Sequence, residues 1–588
     1  MNTEKRLLVA FALSMGVLLL WGAFFGKPPH PPVKPAVPPA AQKSKPITES
    51  PAHAAAPRPA SPPASLAVEQ GTATEDIVVN GPLYRVTFST EGAIVKSWVL
   101  TKYQDEHGKP LNVVNTAACR QLGFPMKLST GDPKLDGELN EADFVAKPAG
   151  TMLKAPVTLE FVYSNGKIEA RKKFVFGDNY QVSARMSVFD GKKYFPIGVE
   201  WPGGFGDQSV GAKQEEAASS AVYDNGQNLK VDSLASFGPS LFDRLLGAGG
   251  SANQHTENKA RTVPGPLQFA GLQDRYFAGI FFPGSTSEGF DFEPQLWKDS
   301  KGKKAASLQA LTAGIQNPQA APLKFRLFVA PKAVDVLRTT DPPLSGLLDW
   351  GWFGFIAKPF FYAMQYMVHH WIHNYGWAIV ILTVLISVAV FPLRLKSIRA
   401  AQEMQRLAPH VKAIQDRYKQ YKFNDPRKQR MNQEMMKLYQ EHGVNPIGGC
   451  LPTLLQLPVI YAFYRMLELP IEFRHARWIL WFNDLSQPDH SRLFGLPIPI
   501  MWAAMMAASF VMTVITPMPT PDRQQRTMMM IMPLFIGFLF IHWASGLVLY
   551  YLTFSVVSIT QQLLINRFWP ITAPPCGPPK PAAAVGKA

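Results

Sequence analysis

This 588-residue chain is poor in cysteine, with only Cys119, Cys450 and Cys576. The topology derived below places one outside, one within a span and one in the cytoplasm, so no two could form a disulfide. Zinc-finger spacing and RNA-binding sheet signatures are missing, so the formal net charge of +16 favours an anionic membrane surface over nucleic acid. A phosphate-binding Gly-rich loop with its lysine is missing too, which gives no sign of nucleotide hydrolysis.

Long apolar runs are what the chain does contain, at its N-terminus and after Tyr375. Residues 7–25 are almost uninterruptedly apolar, close to the 20 residues that a membrane-crossing helix needs. The run ends in Phe-Phe-Gly-Lys-Pro rather than the small residues of a cleavage site, so residues 1–26 are predicted to be an uncleaved anchor. A cleaved signal peptide is the alternative.

Two segments of different composition follow the anchor. Residues 27–70 are rich in Pro, Ala and Ser, which predicts a semi-rigid linker. Residues 71–335 contain short runs in which every second side chain would lie on the same face of a strand. The first two runs put Tyr84, Val86 and Phe88 on one face and Ile94, Lys96 and Trp98 on one face, and later runs cover residues 157–163 and 180–186. This pattern predicts a large all-β sandwich. It shows no catalytic constellation, so a scaffold or interaction domain is expected.

Aromatic residues dominate the segment 340–373, which we interpret as an amphipathic helix lying at the membrane interface. His369 and His373 lie four residues apart and so on one helical face, as metal ligands can. Without a third ligand nearby they favour an interfacial role, and no metal is predicted.

Five further apolar segments are long enough to cross a bilayer: residues 375–393, 448–467, 498–515, 528–544 and 546–565. Residues 394–444 carry twelve Lys and Arg against five acids, whereas residues 468–496 carry three Arg against four acids. Positive residues accumulate on the cytoplasmic side. The fold class is therefore a polytopic α-helical membrane protein with six transmembrane helices, cytoplasmic termini and a periplasmic sandwich.

The segment 394–445 is predicted to be a basic two-helix hairpin within the five-helix core 374–568. Apolar residues recur at steps of four and three from Ala400 to Tyr421, and Asp425 with Pro426 begins a returning helix. Its basic residues form a candidate docking arm for lipid headgroups, a ribosome or a targeting factor: Arg417, Lys419, Lys422, Arg427 and Lys428. A hairpin that only fixes topology is the alternative. Residues 569–588 are expected to form a disordered cytoplasmic tail.

Ordered motifs in the core resemble the YidC family of membrane protein insertases. They are NYGWAI at 374–379, FPL at 391–393, NPIGGCLP at 445–452 with QLP at 456–458, NDLS at 483–486 and SGLVLYY at 545–551. Their order and spacing match over residues 376–567. The anchor, linker and sandwich, with DRYF at 274–277, match the Gram-negative form of that family.

The resemblance implies an insertase of the inner membrane, not an enzyme and without a cofactor, that works through a hydrophilic groove without ATP hydrolysis. Implied partners are nascent membrane proteins, the Sec translocon, the ribosome, signal-recognition factors and anionic lipids. Carried over by position, the groove includes Thr383, Gln456 and Tyr551. Substrates would slide along the third and fifth spans. On the fifth span, Met528, Met529 and Met532 offer adaptable thioethers. Gap-filling in the core is the alternative for these methionines.

One position departs from the family pattern. A basic residue commonly follows the groove threonine by one turn, and here that position is Ser387. Arg394 lies two turns beyond Ser387 on the same face, roughly 10 Å along the helix, so we expect it to provide positive potential at the cytoplasmic mouth of the groove. Alternatively, Thr383 and Ser387 only bond back to their own helix.

Two other functional classes remain as alternatives. A transporter would need ionisable residues within its spans, and the spans contain almost none, with Arg465 and His542 near their ends. A serine protease could use Ser545 with His542, but three residues along a helical turn align a nucleophile and a base poorly.

Overall fold

The structure is a computed structural model. It describes residues 66–210, 216–237, 260–284, 288–299, 306–421, 425–443, 451–491, 499–516 and 527–568, except 529, 533, 534, 536 and 539. The predicted anchor at 1–26, most of the linker and the tail at 569–588 lie outside these ranges. The chain divides into two compact units at Leu347 and Leu348.

The first unit is built from three sheets, which agrees with the predicted all-β domain. In chain order its strands are β1 (Asp76–Asn80), β2 (Tyr84–Ser89), β3 (Ile94–Gln104), β4 (Pro110–Asn112), β5 (Lys127–Ser129), β6 (Val145–Lys147), β7 (Met152–Lys154), β8 (Val157–Ser164), β9 (Glu169–Phe176), β10 (Gln181–Phe189), β11 (Ile197–Trp201), β12 (Ser220–Asp224), β13 (Leu229–Ser233), β14 (Arg261–Val263), β15 (Phe269–Gln273), β16 (Phe277–Pro283), β17 (Gly289–Asp299), β18 (Ala306–Asn317) and β19 (Leu323–Pro331). Short helices accompany them, among them α1 (Thr116–Leu122), α2 (Pro133–Glu141) and α3 (Val334–Arg338).

The largest sheet has nine strands in the order β13-β12-β15-β16-β19-β10-β9-β8-β6. The two five-stranded sheets run β4-β3-β2-β1-β7 and β14-β17-β18-β11-β5. The pairings within the described strands are antiparallel except that of β1 with β7. Alternating apolar residues supply an aromatic core, in which the rings of Phe88 and Phe174 lie 4.9 Å apart.

The predicted face of β3 is wrong in one respect. Alternation places Ile94, Lys96 and Trp98 on one face, but the buried residues of β3 are Val95, Trp98 and Leu100. The register shifts between Thr87 and Phe88 on the neighbouring strand. A bulge of this kind opposes unequal numbers of residues and turns the following side chains to the other face.

Lys172 is buried in the middle of β9, where the strand's alternation otherwise places apolar residues inside. Its Nζ donates to the carbonyl oxygens of Gly92 at 2.6 Å and Met126 at 2.8 Å. It also lies 5.6 Å from the centroid of the Phe144 ring. Burial lowers the pKa of Lys172 to about 7, because desolvation disfavours the charged form.

Replacing Lys172 with Met should remove one source of pH dependence from the free energy of unfolding of the β unit. The unfolded chain holds this proton up to a pKa of about 10.4, so between pH 7 and 10 the unfolded state binds more protons and wild-type stability rises with pH. The free energy of unfolding should rise by up to about 1.4 kcal/mol per pH unit relative to Lys172→Met. Urea unfolding of both full-length proteins at pH 7, 8 and 9 measures this difference. A constant difference across the series would contradict the burial argument.

The second unit is helical. Its helices are α4 (Gly354–Met367), α5 (Tyr375–Arg417), α6 (Pro426–Glu441), α7 (Leu451–Glu468), α8 (Ile500–Ile515) and α9 (Ser545–Phe568). By length and composition α5 and α9 could cross a membrane, and α8 is a shorter apolar helix. The residues described between 527 and 538 are helical. The count of six spans stays a prediction, since the first apolar run lies outside the described ranges.

The predicted interfacial segment is only partly helical. Helix α4 begins at Gly354, later than the predicted start at residue 340, and continues as a π-helical turn over Val368–Ile372. Gly351 precedes it with a φ of +67°, a conformation that glycine adopts without steric cost. Phe355 and Trp371 are more than two-thirds exposed. His369 Nδ1 lies 2.7 Å from the Gln365 carbonyl oxygen, so it is engaged within its own helix.

Helix α5 runs without interruption from the second predicted span into the hairpin. The side chain of Asn374 caps its N-terminus by accepting from the Trp377 amide, and Pro392 lies inside it. Asp425 caps α6 with Pro426 at the first turn, as predicted. The seam between the two hairpin helices is buried at Met404 and Leu407, which pack against Tyr439.

Candidate functional site

Residues from α5, α7 and α9 enclose a cavity of about 370 Å³ in the helical unit. All five sequence-predicted groove residues line it: Thr383, Ser387, Arg394, Gln456 and Tyr551. Met512 of α8 and Phe540 complete part of its wall. Residues from Thr383 to Tyr551, 168 positions apart in the chain, therefore surround one space.

Arg394 is held inside this cavity by α9. Its Nη1 donates to Ser558 Oγ, and to Gln561 Oε1 at 3.0 Å. Its guanidinium carbon lies 5.7 Å from the centroid of the Phe554 ring. The amide of Gln561 in turn donates to the Ser387 carbonyl oxygen at 3.2 Å, so one polar network joins α5 and α9.

The position of Arg394 refines the expectation drawn from the sequence. The Arg394 side chain lines the cavity together with Ser387, and its place at the mouth stays a prediction. The hydrogen-bond acceptors described for it, Ser558 and Gln561, are both neutral. A guanidinium stays protonated in proteins, so the described wall carries a positive charge with neutral partners.

Each of the groove residues Thr383, Gln456 and Tyr551 makes a contact with another residue of the helical unit. Thr383 Oγ1 donates to the Ile379 carbonyl oxygen of its own helix at 2.6 Å, and its side chain also lines the cavity. Gln456 donates to the hydroxyl of Tyr550 at 2.5 Å. Tyr551 packs against Phe540, with ring centroids 5.5 Å apart.

Sequence reasoning missed four residues of this site: Tyr550, Phe554, Ser558 and Gln561. The available signal was the polar spacing along α9, where Ser558 follows Tyr551 by seven residues and Gln561 follows by ten. Such steps place side chains on one helical face. Polar residues inside an otherwise apolar span are costly unless they line a polar space.

The candidate slide residues differ in what the structure describes. Met528 and Met532 are 40% and 42% exposed, with the neighbouring Ile531 at 55%. Met529 lies outside the described residues. Met505 of α8 is buried and fits the alternative of gap-filling in the core.

The candidate docking arm is highly exposed but partly paired. Arg417 lies 3.3 Å from Glu434 across the hairpin, and its side chain is 58% exposed. Arg427 lies over the Tyr421 ring at 4.5 Å and 3.7 Å from Asp425. Lys419 is exposed and Lys428 is half-buried. Lys422 lies outside the described residues.

The protease alternative finds no support at Ser545. This serine begins α9 and is buried, and its Oγ donates to the Asp484 carbonyl oxygen at 2.8 Å. The hydroxyl thus joins the start of the helix to the neighbouring loop.

Comparison with known proteins matches both units to one family. The model of the 60Kd inner membrane protein family matches residues 367–572, and that of the YidC periplasmic domain matches residues 76–363. Membrane protein insertase YidC of Pelobacter propionicus is 31% identical over 582 residues, covering 96% of this chain and 99% of the relative. The Geobacter metallireducens protein of the same name is 30% identical over 589 residues, covering 96% and 98%.

Among solved structures, the crystal structure of an active YidC insertase with its first transmembrane domain resolved is similar. It is 17% identical, covers 85% of this chain and 94% of that chain, and gives a TM-score of 0.33. The sequence relatives and family models carry the assignment, because they span both units. This chain belongs to the YidC family of membrane protein insertases.

Proposed function

We propose that this protein inserts and folds membrane proteins in the inner membrane, acting as an insertase and chaperone rather than an enzyme. The observation that carries the proposal is the cavity that brings together Thr383, Ser387, Arg394, Gln456 and Tyr551, with a cation whose described acceptors are neutral. A space of this kind offers hydrogen bonds and positive potential within an apolar bundle.

The cavity addresses the barrier that opposes insertion. A polar segment in hydrocarbon leaves backbone and side-chain groups without partners, at a cost of several kcal/mol each. A hydrogen-bonding groove carries such a segment part of the way and shortens the apolar distance that remains. The substrate's own apolar span then partitions into lipid and drives the step without ATP.

The cation gives the groove a preference for acidic substrate segments. Arg394 is fixed between α5 and α9, so it loses little conformational entropy when it binds a carboxylate. Charge-assisted hydrogen bonds between guanidinium and carboxylate groups are about twice as strong as neutral ones. Met528, Met532 and Ile531 would provide the exposed apolar path along which the substrate span leaves.

The exposed arm suits the delivery of substrates. We propose that Arg417, Lys419, Lys422, Arg427 and Lys428 dock anionic lipids, a ribosome or a signal-recognition targeting factor, with both termini in the cytoplasm and the β unit in the periplasm. Cooperation with the Sec translocon belongs to the same proposal. Arg417, Lys419 and Arg427 are exposed in the structure, and basic residues near a membrane gain attraction from anionic headgroups.

Site-specific photo-crosslinking tests the path. A photoreactive residue at Ser387 or Met532 should crosslink to a stalled nascent membrane protein in cells. The matched control is Leu385, which lies on the same helix as Ser387 but outside the described cavity lining and is 56% exposed. The protein should also restore growth to a strain depleted of its own insertase. Growth rescue without crosslinks at Ser387 would contradict the groove and leave the insertase activity standing.

A further inference from the structure

A row of basic residues crosses the outer face of the nine-stranded sheet. Lys173 of β9 lies directly opposite Arg185 of β10, which lies directly opposite Lys324 of β19. Like charges directly opposite one another on adjacent strands destabilise a sheet. Three of them in one row therefore oppose folding unless something else compensates.

The positive charges of these three side chains have few acidic partners among the described residues. All three are exposed. Glu160 continues the row opposite Lys173, but one of its carboxylate oxygens lies 3.6 Å from Arg171, which also pairs with Glu169. The acid that faces Lys173 on the neighbouring strand is thus shared with a different arginine.

The row lines a second cavity, which is shallow and open to solvent. A space of about 400 Å³ is lined by Lys173, Arg185 and Lys324 together with Arg326 and the apolar Val175 and Phe282. Arg326 is fixed at its edge, because its guanidinium lies 5.0 Å from the centroid of the Phe282 ring and donates to the Asp341 carbonyl oxygen at 2.8 Å. Four cations beside an apolar rim match a ligand that has both a negative and an apolar part.

The course of the chain favours a membrane as the source of that ligand. The Asp341 carbonyl beside the cavity belongs to the segment that leaves the β unit and continues into α4, the aromatic helix predicted to lie in the membrane interface. Asp341 precedes the end of the β unit at Leu347 by six residues, so a residue that contacts the cavity-lining Arg326 is close in sequence to the segment predicted to enter the membrane interface.

We propose that this cavity binds the phosphate headgroup of an anionic phospholipid and so tethers the β unit to the membrane surface. The headgroup phosphate would lie against the Lys173, Arg185 and Lys324 row, and glycerol or acyl carbons would lie against Val175 and Phe282. The tether is independent of the insertion cavity, so it would act on the orientation of the β unit and not on the groove.

The test uses full-length protein in nanodiscs with increasing phosphatidylglycerol in phosphatidylcholine. A polarity-sensitive fluorophore is attached at Val175→Cys, because Val175 lies at the cavity rim and is 44% exposed. Its emission reports whether a lipid occupies the cavity. Cys450 and Cys576 are first replaced by Ser so that they are not labelled, and Cys119 is buried. The triple variant Lys173→Gln, Arg185→Gln and Lys324→Gln should bind about 100-fold more weakly, since each basic residue near an anionic surface contributes roughly fivefold. Circular dichroism checks that the variant remains folded.

A second triple variant controls for net charge. Lys134, Lys192 and Lys193 are exposed residues of the same unit that lie outside the described lining of this cavity, and their replacement with Gln should leave the response unchanged. Equal loss in both triple variants would show unspecific attraction and overturn the proposal. So would the absence of any lipid response, or a response to inorganic phosphate or an acidic peptide that matches that to phosphatidylglycerol.

Discussion

Replacing Arg394 with Ala should reduce the insertion of substrates with acidic translocated segments by about 10- to 100-fold, because hydrogen bonds to charged groups contribute about 1.5–3 kcal/mol. Arg394 is the cation of the cavity, and its described acceptors Ser558 and Gln561 are neutral. The loss removes positive potential from a low-dielectric space, where it is poorly screened. Protease protection of a model substrate in reconstituted vesicles measures the effect.

Two comparisons separate the charge from the packing of Arg394. A substrate whose acidic residues are replaced by Asn or Gln should be inserted almost equally by wild type and Arg394→Ala. The double variant Ser387→Arg with Arg394→Ala places a cation two turns away on the same face and should recover part of the lost insertion. Full activity of Arg394→Ala with the acidic substrate would contradict a role for this charge.

Replacing Asp274 with Ala should lower the free energy of unfolding of the β unit by roughly 3–6 kcal/mol. The Asp274 carboxylate is buried and accepts three backbone N–H groups, from Asp207 at 2.9 Å, Tyr276 at 2.7 Å and Phe277 at 2.5 Å. Each buried donor left without an acceptor costs about 1–3 kcal/mol. Urea unfolding of the full-length protein in detergent, followed by the fluorescence of the β unit, measures the loss.

Asp190 offers a matched control for this prediction. Its carboxylate also accepts two backbone N–H groups, from Lys192 at 2.9 Å and Lys193 at 2.8 Å, but on an exposed turn. Water can replace it there, so Asp190→Ala should cost about 1 kcal/mol or less. Asp274→Asn should lie between wild type and Asp274→Ala, since an amide keeps only one acceptor oxygen. Equal midpoints for the Asp190 and Asp274 variants would refute the role of burial.

The Asp274 loop shows what a sequence motif can and cannot reveal. The run DRYF at 274–277 was recognised only as a mark of family resemblance. Its physical role depends on Gly206 and Asp207, nearly 70 residues earlier in the chain. A Cβ on Gly206, which has a φ of +126°, would collide with the Asp274 carboxylate. The motif is thus one half of a loop contact that the sequence does not display.

Local periodicity determined much of this fold in advance. Apolar runs long enough to cross a bilayer predicted α5 and α9, because a helix satisfies its own backbone hydrogen bonds. Strand alternation predicted β2, β8 and β10, because side chains alternate between the faces of a sheet. Asp425 and Pro426 predicted the start of α6. Each of these depends only on residues within a few positions of one another.

Tertiary structure decided where charged side chains lie. Lys172 lies at an inward position of β9 that is otherwise apolar, and the carbonyl oxygens of Gly92 and Met126 accept its hydrogen bonds there. Arg394 was expected at the mouth of the groove, and its place in the cavity follows from Ser558 and Gln561 on α9. The sequence by itself determined the helices α5 and α9, most of the strands and the family. Only the packed structure shows which polar groups pair. These pairs join residues more than 30 positions apart in the chain, and no local sequence pattern predicts that they meet.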